Sequence, residues 1–244
     1  MLRGLQIAAS GMLAQQVRHD VIANNLANAD TTGYKADTAV FRTALQTAIW
    51  RHHDPYLGAE APQVGVLPFG TQGDEVHTDL RQGAITLTGR SLDVAIDGEG
   101  FFVVSTPQGE RYTRDGAFRQ SADGTLVTAD GLPVLGTRGA IRSAGAPLTI
   151  APNGDVLANG QVVDRLRIVQ VQNTVKEGAN RFAGTAQPLP QFSLQVGALE
   201  RSNVSVVQAM VDMITAMRAY EASHRAVLAH DETLQRTVND VGKV

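Results

Sequence analysis

The sequence predicts an α+β fold in which discontinuous N- and C-terminal helices form a coiled-coil-like helical domain around an inserted, mostly antiparallel β domain. Three observations lead to this fold class. Residues 3–29 contain no proline, and residues 202–241 contain neither glycine nor proline. Residues 58–198 hold twenty of the 24 glycines, which is typical of strands separated by tight turns. Both ends of the chain also repeat apolar residues at spacings of three and four, as amphipathic helices do.

The two predicted helices each carry a seam of this kind. In the first it passes through Leu5, Ala8, Met12, Gln15, His19, Ile22 and Leu26. In the second it passes through Val206, Met210, Met213, Met217, Tyr220, His224, Val227, Asp231, Leu234, Val238 and Val241, which is about five heptads. Two interpretations stay open: an ordinary pair of core helices, or helices that also pack against further copies. Two helices alone bury too little surface for stability, which favours the second.

The domain boundaries follow from the same changes in composition. We predict an N-terminal helix with its turn over residues 1–41, an extended connector over 42–75, a β domain over 76–198 and a C-terminal helix over 199–244. The connector contains Pro55, Pro62 and Pro68, which disfavour regular structure.

The β domain is predicted from its period and its turns. Val94, Ile96, Phe102 and Val104 mark strand faces, and the segment 106–110, TPQGE, has the chemistry of a hairpin turn. Four further turns are predicted, each with a glycine at positive φ. They are Asp115-Gly116, Asp123-Gly124, Asp130-Gly131 and Asn153-Gly154.

Composition excludes several classes of function. The formal net charge is −3, and no block of Lys or Arg is present, so a nucleic-acid partner is not expected. There is no cysteine, which removes disulfide and thiol chemistry. No apolar run reaches 18 residues, and polar residues interrupt the N-terminal segment. We therefore expect neither a cleaved signal peptide nor direct membrane insertion.

The chain shows no convincing catalytic, cofactor or metal site. The segment 97–102, DGEGFF, continues as a strand, whereas a nucleotide loop needs a helix after its glycines. The pair His52-His53 is the best metal candidate, but adjacent side chains diverge and no second histidine cluster accompanies them. We predict no enzyme activity, no cofactor and no bound metal.

Motifs in three parts of the chain resemble those of one known protein family. The first is the run from Ser10 to Lys35, which contains ANNLAN (23–28) and TTGYK (31–35). The second comprises DVAIDGEGFF (93–102), YTRDGAF (112–118) and GTLVTADGLPVLG (124–136). The third comprises LERSNV (199–204) and the run from Met210 to Glu221. All three sets of motifs resemble those of bacterial flagellar basal-body rod and hook proteins. Ser205 departs from the pattern of this family, since many relatives have an acidic residue after Asn-Val.

This resemblance implies a structural subunit of the flagellar rod, similar in length to the proximal and distal rod proteins, with the choice between them open. It implies polymerisation through the terminal helices into a hollow axial shaft that transmits torque from motor to hook. Partners would be further copies, other rod and hook proteins and the flagellar type III export apparatus. The location would be the basal body in the cell envelope, reached without a cleaved signal peptide.

We predict two groups of functional residues. The subunit interface would comprise Leu5, Met12, Ile22, Asn24, Asn25, Leu26, Asn28, Asn203, Val206, Met210, Met213, Met217 and Tyr220. A turn or hinge would comprise Thr31, Gly33 and Tyr34, with Gly33 at positive φ. Asn24 and Asn28 share a helix face, so their amides could bond a neighbouring backbone. The alternative function is a non-flagellar β-domain binding module that the terminal helices dimerise.

Overall fold

The computed structural model describes residues 2–43, 46–50, 63–68, 71–143, 145–189 and 191–241. It confirms a helix at each end and an antiparallel, β-rich region between them. The helices are α1 (Leu2–Ala27) and α2 (Val206–Val241). The strands are β1 (Asp37–Thr43), β2 (Gln46–Trp50), β3 (Gln63–Pro68), β4 (Thr71–Thr78), β5 (Ile85–Leu87), β6 (Val94–Asp97), β7 (Phe101–Thr106), β8 (Gly109–Thr113), β9 (Arg119–Gln120), β10 (Leu126–Val127), β11 (Leu148–Ile150), β12 (Asp155–Ala158), β13 (Gln161–Arg165), β14 (Ile168–Gly178), β15 (Arg181–Pro188), β16 (Ser193–Val196) and β17 (Ala198–Glu200).

The chain divides into two compact units. The helical unit comprises residues 1–26, 37–77 and 206–244, and the β unit comprises residues 27–36 and 78–205. The sequence predicted an extended connector over 42–75, whereas the described residues of that segment form strands. Among them β2 pairs antiparallel with β3, and β1 pairs with β4. His52 and His53 lie outside the described residues.

In the helical unit, α1 and α2 approach each other through small residues. A Cβ added to Gly4 would lie 2.9 Å from Nε2 of His230, and one added to Gly11 would lie 3.6 Å from Oγ of Ser223. From the first contact to the second, the residue number increases by seven on α1 and decreases by seven on α2. The two helices therefore run antiparallel. On α2, Ala209 and Ala216 continue this seven-residue row and are buried. Neither described helix is long and apolar enough to cross a membrane.

The β unit has two apolar clusters, and β7 contributes to both. Its run Phe101-Phe102-Val103-Val104 is buried on both faces because successive side chains point to opposite sides of a strand. Phe102 and Val104 enter the larger cluster with Val94, Ile96 and Phe118. Phe101 and Val103 enter the smaller one, inside the closed sheet with strand order β14, β15, β8, β7.

The predicted turns are largely confirmed. Gly124, Gly131 and Gly154 have positive φ, and the β7–β8 hairpin turns between Thr106 and Gly109. The prediction for Gly116 is wrong, because its φ is not in the positive region. That position requires glycine for lack of space, since a Cβ there would overlap the carbonyl oxygen of Val94.

Candidate subunit-contact residues and the motif junction

One side of α2 exposes large apolar side chains, and we call it the α2 apolar face. Val207 is 74% exposed and Ile214 is 53% exposed, far above the buried Ala209 and Ala216 on another side of the helix. The face comprises Val206, Val207, Met210, Val211, Ile214, Met217 and Tyr220. Four of the predicted contact residues, Val206, Met210, Met217 and Tyr220, therefore lie exposed on one helix surface. Met213 is half-buried beside it.

The predicted contact residues on α1 are less exposed. Leu5, Met12, Ile22 and Leu26 are all half-buried. Among the α1 residues whose side chains the structure describes, the exposed large apolar ones are Ile7, Leu13 and Val17, which the sequence pattern did not single out. These three residues lie between the positions of the predicted seam. An assignment of contact residues from spacing alone therefore missed them.

A groove of about 420 Å³ lies between α1 and α2. Gln15, Gln16 and His19 line it from α1, and Ala216, Met217, Tyr220 and Glu221 line it from α2. Oε1 of Gln15 is buried there and has no hydrogen-bond partner among the described residues. The groove is continuous with the α2 apolar face because both include Met217 and Tyr220.

The asparagines near the end of α1 differ in exposure. Asn24 is exposed and Asn28 is half-buried, while Asn25 is 9% exposed. Nδ2 of Asn25 donates to the carbonyl of Asp37 at 2.7 Å, and the N–H of Asp37 donates back to Oδ1 at 2.9 Å. The side-chain amide of Asn25 thus makes the same pair of hydrogen bonds to the backbone of Asp37 that a residue on a neighbouring strand would make. Both residues belong to the same chain. A contact of Asn25 with another subunit stays a prediction.

The predicted turn follows within the β unit. The N–H of Thr31 donates to the carbonyl of Asn28 at 3.1 Å, and its hydroxyl lies 3.2 Å from Oδ1 of the same residue. Gly33 has φ of +64°, as predicted, and a Cβ on it would lie 2.5 Å from the carbonyl carbon of Arg114. Only glycine satisfies both conditions. Tyr34 is 3% exposed, and Nζ of Lys176 lies 3.8 Å from the centre of its ring.

Immediately after this turn, three charged side chains meet in the interior of the β unit. Nζ of Lys35 lies 2.6 Å from Oε1 of Glu200, and Nη1 of Arg114 lies 3.4 Å from Oε2 of the same carboxylate. Lys35 also donates to the carbonyl of Arg81 at 2.7 Å. Burial lowers the pKa of Lys35, against the opposing hydrogen bond and charge of Glu200, and it lowers the pKa of Arg114 as well.

Asn203 lies beside this cluster and is half-buried. Its Oδ1 accepts from the N–H of Ala36 at 2.8 Å, and its Nδ2 donates to the carbonyls of Asp79 at 2.8 Å and Arg81 at 3.1 Å. The structure therefore gives Asn203 partners within its own chain. Its predicted role at a subunit interface stays a prediction.

The cluster joins the three parts of the chain from which the sequence motifs came. Lys35 ends TTGYK, Arg114 is the arginine of YTRDG, and Glu200 is the acid of LERSNV. The sequence identified the three motifs, but it did not show that their charged side chains contact one another. The available signal was that each of the three motifs contains at least one charged side chain: Lys35 in TTGYK, Arg114 and Asp115 in YTRDG, and Glu200 and Arg201 in LERSNV. Within the described ranges no three His, Cys, Asp or Glu side chains form a metal-binding group.

Comparison with protein families gives matches in the same three regions. Residues 5–35 match the family described as "Flagella basal body rod protein". Residues 95–163 match "Flagellar hook protein FlgE/F/G D1 domain", and residues 195–240 match "Flagellar basal body rod FlgEFG protein C-terminal".

Individual relatives match over nearly the whole chain. The chain is 36% identical to the flagellar basal-body rod protein FlgG of Agrobacterium fabrum, covering 95% of this chain and 96% of that protein. It is 33% identical to FlgG of Bacillus subtilis, covering 98% and 99%. It is 32% identical to the flagellar basal-body rod protein FlgF of Caulobacter vibrioides, covering 100% of both. Relatives of both names match at similar identity.

Proposed function

The chain belongs to the family of flagellar basal-body rod proteins, and from this premise we propose that it is a structural subunit that polymerises through its terminal helices into the axial shaft of the basal body. The shaft is hollow and transmits torque from the motor to the hook. The relatives named above carry flagellar names, and none of them supports the non-flagellar binding module. These relatives include proteins named FlgF and proteins named FlgG. The proposal therefore covers both the proximal and the distal rod protein.

The observation that carries this proposal is the α2 apolar face. A row of large apolar side chains on one helix side is costly to leave in water, and such patches mark protein interfaces. Burying each side chain contributes roughly 1.5 to 3 kcal/mol. The methionines Met210 and Met217 suit contacts that are similar without being identical, because an unbranched thioether adapts its shape.

We propose that the α2 apolar face packs on helices of neighbouring copies in a coiled-coil-like arrangement. The exposed α1 residues Ile7, Leu13 and Val17 offer a second, different apolar surface. Two unlike surfaces favour a heterologous, head-to-tail contact, which produces an open helical assembly instead of a closed ring. Other rod and hook proteins would meet the same surfaces at the ends of the assembly, and delivery would use the flagellar type III export apparatus.

The test compares two substitutions on α2. Met217→Asp puts a charge on the α2 apolar face, and Ala226→Asp puts the same charge on an exposed position on the opposite side of the helix from Met217. Each variant is expressed in a strain that lacks the native gene. We expect Met217→Asp to abolish swarming and to leave basal bodies without complete rods in electron micrographs, and Ala226→Asp to retain swarming and complete rods. Normal rods with Met217→Asp would refute assembly through this face.

A further inference from the structure

Three segments of the β unit are held together by hydrogen bonds. Each of them is adjacent in sequence to a point where the chain passes between the β unit and the helical unit. The chain passes between the units after residues 26, 36, 77 and 205. Residues 33–36, 79–84 and 200–203 lie next to the last three of these passages, and we call them the junction segments. They are far apart in sequence, since Asn203 is 167 positions from Ala36 and 124 from Asp79.

A closed ring of three hydrogen bonds joins one residue from each junction segment. The N–H of Ala36 donates to Oδ1 of Asn203, Nδ2 of Asn203 donates to the carbonyl of Asp79, and the N–H of Asp79 donates to the carbonyl of Ala36. All three donor–acceptor distances are 2.8 Å. A single side-chain amide closes the ring because it has both a donor and an acceptor.

A second set of contacts joins the same segments through buried charges. Nζ of Lys35 donates both to Glu200 and to the carbonyl of Arg81, and Oε1 of Glu200 also accepts from the N–H of Gly83 at 2.9 Å. A Cβ on Gly83 would overlap the carbonyl oxygen of Arg201, so the segments also lie in close backbone contact. Each junction segment is therefore held both by the ring of hydrogen bonds around Asn203 and by the contacts of the buried charges.

We infer that Asn203 is a positioning residue that holds the three junction segments in one register, so that they open and close as a single body. Polar and charged side chains do this better than apolar ones because hydrogen bonds fix direction and register, whereas apolar contacts permit sliding. Stability alone does not explain the arrangement, since a buried ion pair is weak evidence of a stabilising role. This inference rests on contacts inside the β unit and is independent of polymerisation.

Hydrogen exchange followed by mass spectrometry on the full-length chain tests it. The variant Asn203→Asp keeps the acceptor for Ala36 but loses the donated bonds to Asp79 and Arg81. We expect exchange of peptides covering 33–36, 79–84 and 200–203 to rise together by at least about tenfold, because local opening controls amide exchange. Exchange in the β14–β15 hairpin is expected to stay unchanged. The milder Asn203→Gln, which keeps both donor and acceptor on a longer stem, is expected to show a smaller rise with the same pattern.

The control is Asn153→Ala, which removes a comparable pair of side-chain bonds from an exposed turn of the same unit. Oδ1 of Asn153 accepts from the N–H of Asp155, and its Nδ2 donates to the carboxylate of that residue. The control should leave all three junction segments unaffected. Faster exchange confined to 200–203 in Asn203→Asp would overturn the inference, as would no change. An equal rise throughout the β unit would also overturn it, by assigning Asn203 a merely stabilising role.

Discussion

The ammonium group of Lys35 lies 2.6 Å from Oε1 of Glu200, and both side chains are closed off from solvent, with exposures of 0% and 1%. Glu200 also lies 3.4 Å from the buried Arg114, so Glu200→Gln leaves two buried cations without their carboxylate, whereas Lys35→Met leaves the Arg114–Glu200 pair in place. Removing the partner of a buried charge costs about 3 to 5 kcal/mol. We therefore expect Glu200→Gln to lower the free energy of unfolding by about 3 to 5 kcal/mol, and Lys35→Met/Glu200→Gln, which removes one of the two uncompensated cations, to lower it by less.

Urea denaturation of the four members of this double-mutant cycle measures the coupling. The control cycle uses Arg167 and Glu110, whose exposed side chains make two hydrogen bonds of 2.8 Å. Exposed pairs contribute about 0 to 1 kcal/mol, so the substitutions Arg167→Met and Glu110→Gln should cost little singly or together. Equal coupling in the two cycles would contradict a special role for burial at Lys35.

Gly33 is required by its conformation and by its surroundings. An alanine at φ of +64° is strained by about 1 to 2 kcal/mol, and its Cβ would also press on the backbone of Arg114. Overpacking typically adds about 1 to 3 kcal/mol, so Gly33→Ala should lower the free energy of unfolding by about 2 to 5 kcal/mol. Thermal and urea denaturation measure this loss.

The matched control is Gly131→Ala. Gly131 has φ of +83°, but a Cβ there would meet no atom within 4 Å. Its substitution should cost only the conformational strain, about 1 to 2 kcal/mol. If both variants lost the same stability, the contact between Gly33 and Arg114 would carry no energy of its own.

The sequence predicted the elements well because each element is a local pattern. The proline-free ends predicted the helices, and the alternation along β7 predicted which residues share a strand face. The positive φ of Gly33 followed from its place after Thr31-Thr32. These features depend on neighbours within a few residues, so periodicity and turn chemistry identify them.

The sequence did not predict which distant residues meet. Lys35 and Glu200 are 165 positions apart, and no local pattern shows that the two charges share one interior site. On α2 the large side chains suggested the inner seam, whereas the buried positions include Ala209 and Ala216. Small residues permit the close approach of two helices. A search for regularly spaced apolar residues does not consider side-chain size, so it does not identify such positions.

Ala179 has an unfavourable backbone conformation at the tip of the β14–β15 hairpin. Its φ is +45°, and the next residue, Asn180, also has positive φ, at +56°. Two such residues form the turn that right-twisted hairpins prefer, in which glycine is favoured over alanine. Ala179→Gly removes strain of about 1 to 2 kcal/mol and adds a smaller entropic cost in the unfolded chain. We expect the free energy of unfolding to rise by about 0.5 to 1 kcal/mol.

The same substitution at a paired strand position should have the opposite sign. Ala183 pairs with Val175 within the hairpin, and Ala183→Gly should lower the free energy of unfolding by about 0.5 to 1 kcal/mol. Both values come from urea denaturation. A loss of stability in Ala179→Gly would show that the tip is not strained by its alanine.

Asp115 makes the stability of the β unit depend on pH. Burial raises the pKa of its carboxyl from the usual 3.8, against hydrogen bonds from Thr32 and Ala117, and the nearby carboxylates of Asp130 and Asp93 raise it further. The folded state therefore binds the proton more tightly than the unfolded state does. The free energy of unfolding falls as pH rises from 3.8 through the raised pKa of the folded state.

Asp115→Asn keeps an oxygen for the hydroxyl of Thr32, at 2.7 Å, and for the N–H of Ala117, at 3.0 Å, and it removes the charge. We expect the variant to be at least as stable as the original chain at pH 7, with the difference shrinking as the pH approaches 3.8. Asp123→Asn provides a control of opposite sign, because hydrogen bonds from Ser121 and Thr125 lower the pKa of Asp123. That variant should be less stable at pH 7, and its deficit should shrink as the pH falls through the lowered pKa of Asp123. Urea denaturation at a series of pH values compares all three chains, and a stability difference for Asp115→Asn that does not change with pH would refute the assignment.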